Sequence, residues 1–354
     1  MKIIQLIGRF NVGGTANWLA TLIPEMEKKG HYLLLYAGSV SDGEAEDSRF
    51  AQLGGKRLHM DSRNLAIVSD LKAIRSFRKV LKHEKPDILN THTAKAGMIG
   101  RMAAIGLPVK TVHTFHGHLL FGYLSRTQRY LYVLLEKFLN LFTDAFVIVG
   151  QRTMNDLLTA GIGTADKMAV IYPYVESATL LIINRHSSTN AITVGWLGRV
   201  TAIKRPDRLV EIASLLPNIN FVAGGNGDLF AKYAAIKLSN IKWLGWTSAE
   251  DFWTKCDIAL LTSDNEGVPT SLIEAALSGI PIVATNVGGV EEVFTEGEGG
   301  FLAESDQDFA KLISLLANDS STRIAMGDSA RAFAVKRFGL EEFVNSHTRI
   351  YAIK

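Results

Sequence analysis

The stretch EGVPTSLIEAALSGIPIVATNVGGVEEV, residues 266–293, says more about the fold than any other part of the chain. Its pattern predicts a loop, then a helix, then a buried strand. Glu266 lies in the Gly-Pro loop, and Glu274 lies one turn into the helix, which Thr270 or Ser271 would cap. Because a helix N-terminus offers unpaired backbone N–H groups to a phosphate, we expect both acids to face one ligand cavity.

Two interpretations of Glu274 are open. Residues 271–274, SLIE, match a capping box, in which the glutamate only bonds back to the cap residue. The wider pattern resembles the retaining glycosyltransferases of family 4, which have the GT-B fold. Its parts are an acid-Gly loop, seven intervening residues, a second acid, and then Ala275-Ala276, Gly279-x-Pro281 and Gly288-Gly289. The resemblance implies that Glu266 contacts the donor sugar as a catalytic residue and that Glu274 binds the nucleotide ribose. It also implies a donor-binding loop made of Gly267, Val268, Pro269 and Thr270.

Length and composition indicate a globular enzyme of two domains. The 354 residues exceed the roughly 250–300 at which a single core stops growing. Hydrophobic residues make up 47% and charged residues 21%, which is typical of a folded enzyme. Cys256 is the only cysteine, so no internal disulfide can form and a reducing compartment is expected. The formal charge of +3 is too small to favour nucleic acid as a partner.

The N-terminal residues MKIIQLIGRF predict a first buried strand. Gly8 and Arg9 interrupt the apolar stretch and no small-residue cleavage site follows, which disfavours a signal peptide. No apolar run approaches the ~18–20 residues of a membrane span. We therefore expect a cytoplasmic protein, with peripheral attachment to the cytoplasmic face of the membrane left open.

Short apolar runs alternate with helical patterns in two series, which predicts two doubly wound α/β sheets of parallel strands. The predicted strands are 3–7, 32–36, 87–90, 110–114, 145–149 and 169–171, then 193–197, 220–223, 242–244, 258–261 and 282–284. We predict an N-terminal, acceptor-binding Rossmann-like domain at 1–172, a linker at 173–190, and a C-terminal, nucleotide-sugar-binding one at 191–339. Since open α/β sheets bind ligands at the carboxyl ends of their strands, the two domains should face each other across a cleft. The resemblance implies that a helix at 340–354 returns to the N-terminal domain.

Two cations follow the first strand of the second series, in GRVTAIKRPD, residues 198–207. Arg199 can fork onto two phosphate oxygens and Lys204 supplies a point charge, as a diphosphate requires. Isolated basic residues in a loop are more often solvated surface. The resemblance favours the clamp, because the Gly-Arg-x4-Lys spacing matches the family's and implies that both cations stabilise the leaving group. Arg205 is a weaker candidate.

Two glycine-rich turns are further candidates for donor contacts. Residues 8–15, GRFNVGGT, have Gly14 where a P-loop has its lysine, which excludes a nucleoside triphosphatase. The resemblance implies a backbone contact from Gly14 to the donor. In VAGGNG, residues 222–227, Gly225 and Asn226 could approach the nucleotide. Taken alone, each segment is about as well explained as a plain turn.

Four of the nine histidines fall at the ends of predicted N-terminal strands: His92, His113, His116 and His118. Zinc binding by the last two has little support, because no further ligand stands at a zinc-site spacing. The resemblance implies that His116 is catalytic and approaches the donor sugar and diphosphate. We expect His92, Lys95 and His118 to contact the acceptor or to support its loop. No metal and no other cofactor is expected.

Two further motifs have competing interpretations. Asp306-Gln307-Asp308 spells the triad with which GT-A enzymes hold a divalent metal, but it follows Ser305 and precedes a helical pattern. Both acids therefore fit the first turn of a helix. Trp246 lies near the place of the family's base-binding loop, and the sequence leaves open whether it stacks on a base or fills a core.

Residues 126–142 predict an amphipathic helix with excess apolar surface. A buried helix is the simpler interpretation. The basic residues Arg126, Arg129 and Lys137 would nevertheless suit docking on an anionic bilayer. A lipid-linked acceptor is the hypothesis that follows.

These predictions describe a retaining hexosyltransferase that needs no metal. It would move a sugar from a nucleotide diphosphate, expected to be UDP, to a glycan or lipid-linked acceptor in surface polysaccharide or glycoconjugate biosynthesis. No matched carboxylate is an obvious nucleophile, so the resemblance implies same-face attack rather than double displacement. A GT-B nucleotide-sugar epimerase is the alternative. A Rossmann dehydrogenase is disfavoured, since neither glycine run has the Gly-x-Gly-x-x-Gly spacing.

Overall fold

The computed structural model describes residues 1–40, 45–60, 66–117, 119–121, 124–176 and 191–352. The chain divides into two compact units, unit 1 (Met1–Tyr174 with Glu341–Lys354) and unit 2 (Val175–Leu340). Each unit has its own parallel sheet with flanking helices, which confirms the predicted α/β fold. Most of the predicted linker, residues 177–190, lies outside the described residues.

Unit 1 alternates strands and helices from its first residues. Its elements are β1 (Lys2–Ile7), α1 (Gly14–Lys28), β2 (Tyr32–Ala37), α2 (Arg49–Gln52), β3 (Lys56–Arg57), α3 (Ile67–Glu84), β4 (Ile88–His92), α4 (Ala94–Ala104), β5 (Lys110–Phe115), α5 (Arg126–Asn140), β6 (Ala145–Ile148), α6 (Gln151–Thr159) and β7 (Met168–Val170). The parallel strands lie in the order β3-β2-β1-β4-β5-β6-β7. In the centre, Ile4 pairs with Leu34 and Leu89, and all three are buried in one core. Strands covered on both faces explain the continuous apolar runs.

Unit 2 repeats this architecture. Its elements are β8 (Thr193–Leu197), α7 (Pro206–Leu215), β9 (Asn220–Gly224), α8 (Phe230–Ala234), β10 (Ile241–Gly245), α9 (Ala249–Trp253), β11 (Ile258–Leu261), α10 (Thr270–Leu277), β12 (Ile282–Thr285), β13 (Gly300–Ala303), α11 (Asp306–Asn318) and α12 (Ser320–Arg337). The parallel strands lie in the order β10-β9-β8-β11-β12-β13. Val194 pairs with Phe221 and Ile258 at the centre of a buried core.

The strand order reverses once in each sheet, between β1 and β4 in unit 1 and between β8 and β11 in unit 2. Loops that leave neighbouring strands at such a point diverge and open a crevice at the carboxyl ends of the strands. We therefore expect the ligand-binding residues of each unit to lie at these two positions.

Two edge strands, β3 and β13, were not predicted. β3 contains only Lys56 and Arg57, and β13 is the four-residue segment GFLA, Gly300–Ala303, so both strands are very short. Edge strands pair on one side only and need less apolar surface than central ones.

The last helix, α13 (Leu340–Ala352), packs on unit 1. Its Tyr351 hydroxyl accepts hydrogen bonds from Asn90 of β4 at 2.8 Å and from Gln5 of β1 at 3.1 Å. Lys110 of β5 donates to the carbonyl of Ile350 at 2.8 Å. No helix in the described part of the chain has both the length and the apolar character to span a bilayer.

Candidate functional site

The loops after β8 and β11 bring Lys204 and Glu266 into direct contact. Lys204 ends a 3-10 turn (Ala202–Lys204), and its ammonium forms an ion pair with Oε1 of Glu266. The same oxygen accepts a hydrogen bond from Oγ of Ser263 at 2.6 Å. The two charged side chains are 20% and 10% exposed, so they are largely desolvated at the carboxyl edge of the sheet. This is the topological switch point of unit 2, where a ligand is expected.

A set of hydrogen bonds holds these two loops against each other. Thr262 accepts from the indole of Trp196 at 3.0 Å and donates to the carbonyl of Lys204 at 2.9 Å. The backbone N–H of Asp264 donates to the carbonyl of Ile203 at 2.9 Å. The ion pair therefore stands on a frame that is fixed before any ligand arrives.

Two glycines allow neighbouring loops to pack on this frame. At Gly288, with φ of +52°, a Cβ would collide with the backbone carbonyl of Glu266. At Gly225, with φ of +119°, a Cβ would collide with the carbonyl of Gly198. Both positions combine close backbone approach with a conformation that side chains disfavour, so they require glycine.

The three cations of the loop after β8 have different environments. Arg199 is exposed. Arg205, in a left-handed conformation, pairs with Asp207 at 2.8 Å and with Asp264 at 3.0 Å, both within unit 2. Its guanidinium thus fixes the start of α7, which explains why it is a weaker candidate for a ligand contact than Lys204 or Arg199.

The predicted cap of α10 is wrong. The helix begins at Thr270 with Pro269 as its N-cap, and no side chain makes a capping hydrogen bond, so the capping box with Ser271 does not form. Proline fixes its own φ and sets the chain for a helix at the next residue, which makes Thr270 the first helical position. Glu274 is thereby left without a capping role.

Glu274 lies where α10 meets α9. The side chain of Trp253 lies beside its carboxylate and favours the ionised form, and Glu250 of the same short helix is a nearby like charge. Burial raises the pKa of Glu274 to about 7, although part of its surface stays accessible, and the charge on Glu250 adds to the rise. A carboxyl at this pKa holds or releases its proton near neutral pH, as functional carboxyls often do.

The other predicted donor contacts of unit 2 are partly used inside the protein. The backbone N–H of Gly225 donates to the carbonyl of Gly245 at 2.6 Å. The side-chain oxygen of Asn226 accepts from the N–H of Gly227 at 2.8 Å. The Gly225 N–H and the Asn226 side-chain oxygen are thus used within unit 2, and the contacts of this loop with a nucleotide stay a prediction. In unit 1, by contrast, Gly14 is the exposed first residue of α1, where helix N–H groups lack intrahelical partners.

His92 and His116 of unit 1 form a hydrogen-bonded cluster with Gln5. Nδ1 of His92 lies 2.8 Å from Nε2 of His116, and Nε2 of His92 lies 2.8 Å from Oε1 of Gln5. His113 lies apart, with Nδ1 2.8 Å from the Thr91 hydroxyl. Burial lowers the pKa of His92 and His113 well below 6.5 and that of His116 to about 3; neighbouring imidazoles and, for His113, the Arg101 guanidinium add to the fall. These rings are therefore neutral at physiological pH.

The predicted acceptor contacts in unit 1 need correction. His92 has no exposed surface, so it cannot touch an acceptor and instead supports His116. Lys95 is 8% exposed and forms an ion pair with Asp70 at 2.9 Å, which ties α4 to α3. His118 lies outside the described residues. His116 keeps partial exposure and is the member of the cluster that a ligand can reach.

Two open questions from the sequence are answered by the structure. Asp308 forms a capping box with Ser305, and Asp306 accepts from Arg208 at 2.7 Å, so both acids serve the start of α11 as predicted. Trp246, which follows β10, is 70% exposed and therefore does not fill a core.

Several residues of these sites carry no local signal in the sequence. Ser263 and Trp253 gain their roles only because α9, α10 and the loop after β11 meet. Gln5 and Tyr351 meet across 346 positions of the chain. To predict these contacts, one would need to know in advance which distant segments of the chain lie together.

Comparison with known proteins gives matches over nearly the whole chain. A family model described as Glycosyltransferase Family 4 matches residues 12–178, and one described as Glycosyl transferases group 1 matches residues 182–333.

Curated relatives are similar over most of their length. A UDP-Gal:alpha-D-GlcNAc-diphosphoundecaprenol alpha-1,3-galactosyltransferase from Escherichia coli is 26% identical over 315 residues, which cover 82% of this chain and 81% of the relative. The capsular polysaccharide biosynthesis glycosyltransferase CapM from Staphylococcus aureus is 24% identical over 313 residues, with 78% and 79% covered.

Solved structures share the fold. Anabaena Alr3699/HepE in complex with UDP and glucose superposes with a TM-score of 0.82 at 21% identity, covering 99% of this chain and 98% of that one. Sucrose-phosphate synthase from Thermosynechococcus elongatus gives a TM-score of 0.83 at 16% identity, with 99% and 98% covered. At these identities the likeness shows the two-domain Rossmann-like architecture alone.

Proposed function

Because this chain belongs to the GT-B glycosyltransferases of the family 4 type, we propose that it transfers a hexose from a UDP-sugar to a hydroxyl of a glycan or lipid-linked acceptor, with retention of configuration. The acceptor hydroxyl attacks the anomeric carbon from the face that UDP leaves. The bond from that carbon to the diphosphate breaks, and the departing diphosphate takes up the hydroxyl proton. The pathway is the assembly of a surface polysaccharide, as the names of the Escherichia coli and Staphylococcus aureus relatives suggest.

The observation that carries this proposal is the Lys204–Glu266 ion pair at the switch point of unit 2. Without ligand, each charge partly satisfies the other. A diphosphate at the carboxyl edge of β8 would draw the Lys204 ammonium to itself, and Glu266 would then accept hydrogen bonds from sugar hydroxyls. The pair therefore suits a ligand that has both an anion and hydroxyl donors, which is the chemistry of a sugar nucleotide.

Electrostatic stabilisation of the departing diphosphate is the main catalytic effect in this proposal. Negative charge grows on the leaving oxygen, and a largely desolvated Lys204 on a rigid frame meets it with little reorganisation. Arg199, exposed at the same strand end, adds a guanidinium that can fork onto phosphate oxygens. In this scheme the protein's cations neutralise the diphosphate and no metal ion takes part.

Glu274 is proposed as the ligand of the ribose hydroxyls. The capping role that competed with this one does not exist in the structure, and the carboxyl sits partly accessible with one side on Trp253. Ribose hydroxyls would donate to the ionised form, so donor binding would favour loss of its proton.

The outer face of α5 supports a lipid-linked acceptor. Tyr130, Leu131, Leu134 and Phe138 are 64%, 59%, 46% and 45% exposed, so the buried-helix interpretation is wrong for this face. The opposite face is anchored by Glu136, which is 1% exposed and pairs with Arg101 of α4. The same helix carries the exposed cations Arg126, Arg129 and Lys137. An apolar face bordered by cations fits an anionic bilayer, which we propose as its partner.

A thermal-shift panel tests the donor assignment. A ligand that binds the native state raises its stability, by about 2.7 kcal/mol at a concentration 100 times its Kd. We expect UDP and a UDP-sugar to raise the Tm more than GDP or ADP does, and the Lys204→Ala variant to lose most of that rise. Equal shifts for all the nucleotides would contradict the UDP assignment. Conversion of UDP-sugar into an epimer without acceptor would favour an epimerase.

A further inference from the structure

A chain of hydrogen bonds runs from the C-terminal helix to His116. Tyr351 of α13 accepts from Nε2 of Gln5 at 3.1 Å, Oε1 of Gln5 lies 2.8 Å from Nε2 of His92, and Nδ1 of His92 lies 2.8 Å from Nε2 of His116. Every member except His116 is buried. The chain therefore ends at the partly exposed ring of the cluster.

The far end of the chain is itself held in place. The Thr114 hydroxyl donates to Oδ1 of Asn90 at 3.0 Å, which directs the Asn90 amide nitrogen to the Tyr351 oxygen at 2.8 Å. With both amides donating to the phenol oxygen, the Gln5 side chain presents its oxygen to His92.

The orientation of Gln5 sets the tautomer of each ring in turn. The Gln5 oxygen only accepts, so the proton of neutral His92 lies on Nε2 and its Nδ1 carries a lone pair. That lone pair accepts from His116, whose proton must then lie on Nε2 as well. Nδ1 of His116 remains as a lone pair that accepts hydrogen bonds and cannot donate to a phosphate oxygen.

Aromatic packing holds the His116 ring in the position where it hydrogen-bonds to His92. Trp18 of α1 meets the His116 ring edge-on, with centroids 5.1 Å apart and planes at 89°. The same indole packs on Phe343 at 4.8 Å and His347 at 5.2 Å, both from α13. One helix thus supplies both the end of the hydrogen-bonded chain and part of the wall behind the ring.

We propose that Tyr351 and Gln5 are positioning residues that fix His116 as its Nε2–H tautomer, so that Nδ1 accepts a hydrogen bond from a hydroxyl of the substrate. The role in turnover rests on the proposed glycosyl transfer, whereas the tautomer does not. His116 thus orients a hydroxyl of the substrate and does not donate to its diphosphate.

Nitrogen-15 NMR of the full-length protein tests the tautomer without any substrate. Long-range proton–nitrogen spectra distinguish a protonated ring nitrogen from one with a lone pair, and a His116→Asn sample assigns the signals. We expect His116 in wild type to show a protonated Nε2 and an unprotonated Nδ1. A protonated Nδ1, or an averaged mixture of tautomers, overturns the proposal even if no variant folds.

The Tyr351→Phe variant removes only the hydroxyl at the end of the chain. We expect a mixture of His116 tautomers. We also expect kcat to fall about tenfold with the donor KM nearly unchanged, which corresponds to the loss of about one hydrogen bond in the transition state. Tyr132→Phe, at another buried tyrosine of unit 1, is the matched control and should change neither. Unchanged spectra in Tyr351→Phe overturn the proposal. Expected spectra with no UDP-sugar turnover in wild type refute the proposed function and leave the tautomer standing.

Discussion

Replacing Glu274 with glutamine should stabilise unit 2 in a pH-dependent way. Burial raises the pKa of Glu274 from 4.5 to about 7, so the folded chain holds this proton to higher pH than the unfolded chain does. The contribution of this carboxyl to the free energy of unfolding is therefore fully present below pH 4.5 and is lost as the pH rises through 7. One unit of pKa shift corresponds to ~1.4 kcal/mol, so ionisation of Glu274 lowers the free energy of unfolding by up to about 3 kcal/mol at pH 8. This is an upper figure, because the carboxyl keeps some exposure.

The Glu274→Gln variant carries no charge to desolvate, and its amide can still lie beside Trp253. We expect its free energy of unfolding to exceed that of wild type by less than about 1 kcal/mol at pH 5 and by up to about 3 kcal/mol at pH 8. The larger figure corresponds to a Tm rise of roughly 5–10 °C. Tryptophan fluorescence is a suited probe, because all tryptophans except Trp18 lie in unit 2. Binding of UDP-sugar should nevertheless weaken, by roughly 1.5–3 kcal/mol, for loss of a charged hydrogen-bond acceptor.

The matched control is Glu250→Gln, the same chemical change at an exposed position of the neighbouring helix α9. It should alter stability by less than about 0.5 kcal/mol at either pH. If Glu274→Gln and wild type differ by the same Tm at pH 5 and pH 8, the carboxyl is not desolvated as described, and the reasoning from burial to pKa fails.

Four further outcomes are expected. In calorimetric titrations with UDP-sugar, Lys204→Ala should weaken binding about 100-fold. Because the pair acts as a unit, Glu266→Gln should lower the affinity of the Lys204→Ala variant much less than it lowers that of wild type. Losses of binding free energy that simply add would contradict this. Gly288→Ala should destabilise the protein and weaken donor binding, because its Cβ meets the Glu266 carbonyl. Gly297 also has a positive φ (+77°) but has open space around it. Gly297→Ala should therefore lower the free energy of unfolding by only about 1 kcal/mol and leave binding unchanged in the same titration. Leu131→Glu should reduce flotation with anionic liposomes without altering turnover of a soluble acceptor, and equal flotation would exclude α5 as the contact. Excess EDTA should leave the initial rate unchanged, and a loss that Mg²⁺ restores would show that a metal takes part.

Much of the fold was predictable because it depends on local patterns. Apolar runs such as those at β1 and β8 mark strands buried on both faces wherever they occur, and glycine-rich turns mark their carboxyl ends. The edge strands β3 and β13 were missed because they contain only two and four residues, too few for a clear pattern.

The residues of the candidate donor site could be named from the sequence, but their contacts with one another could not. The resemblance to family 4 singled out Lys204, Glu266 and Glu274, and the first two meet across 62 positions of the chain. The predicted contacts of His92 and Lys95 with an acceptor failed, because the sequence could not say which polar residues at a strand end face inward and which face outward. Both are buried and bonded within unit 1.

By itself the sequence determined that two parallel α/β sheets form and which strand ends carry cations, acids and histidines, because hydrophobic periodicity and residue spacing are properties of neighbouring positions. Only the tertiary structure decided that the His116 ring is neutral, that Glu274 titrates near pH 7 and that one face of α5 stays uncovered. These three properties depend on how much water and which charges surround a group, and those surroundings come from segments far apart in the chain.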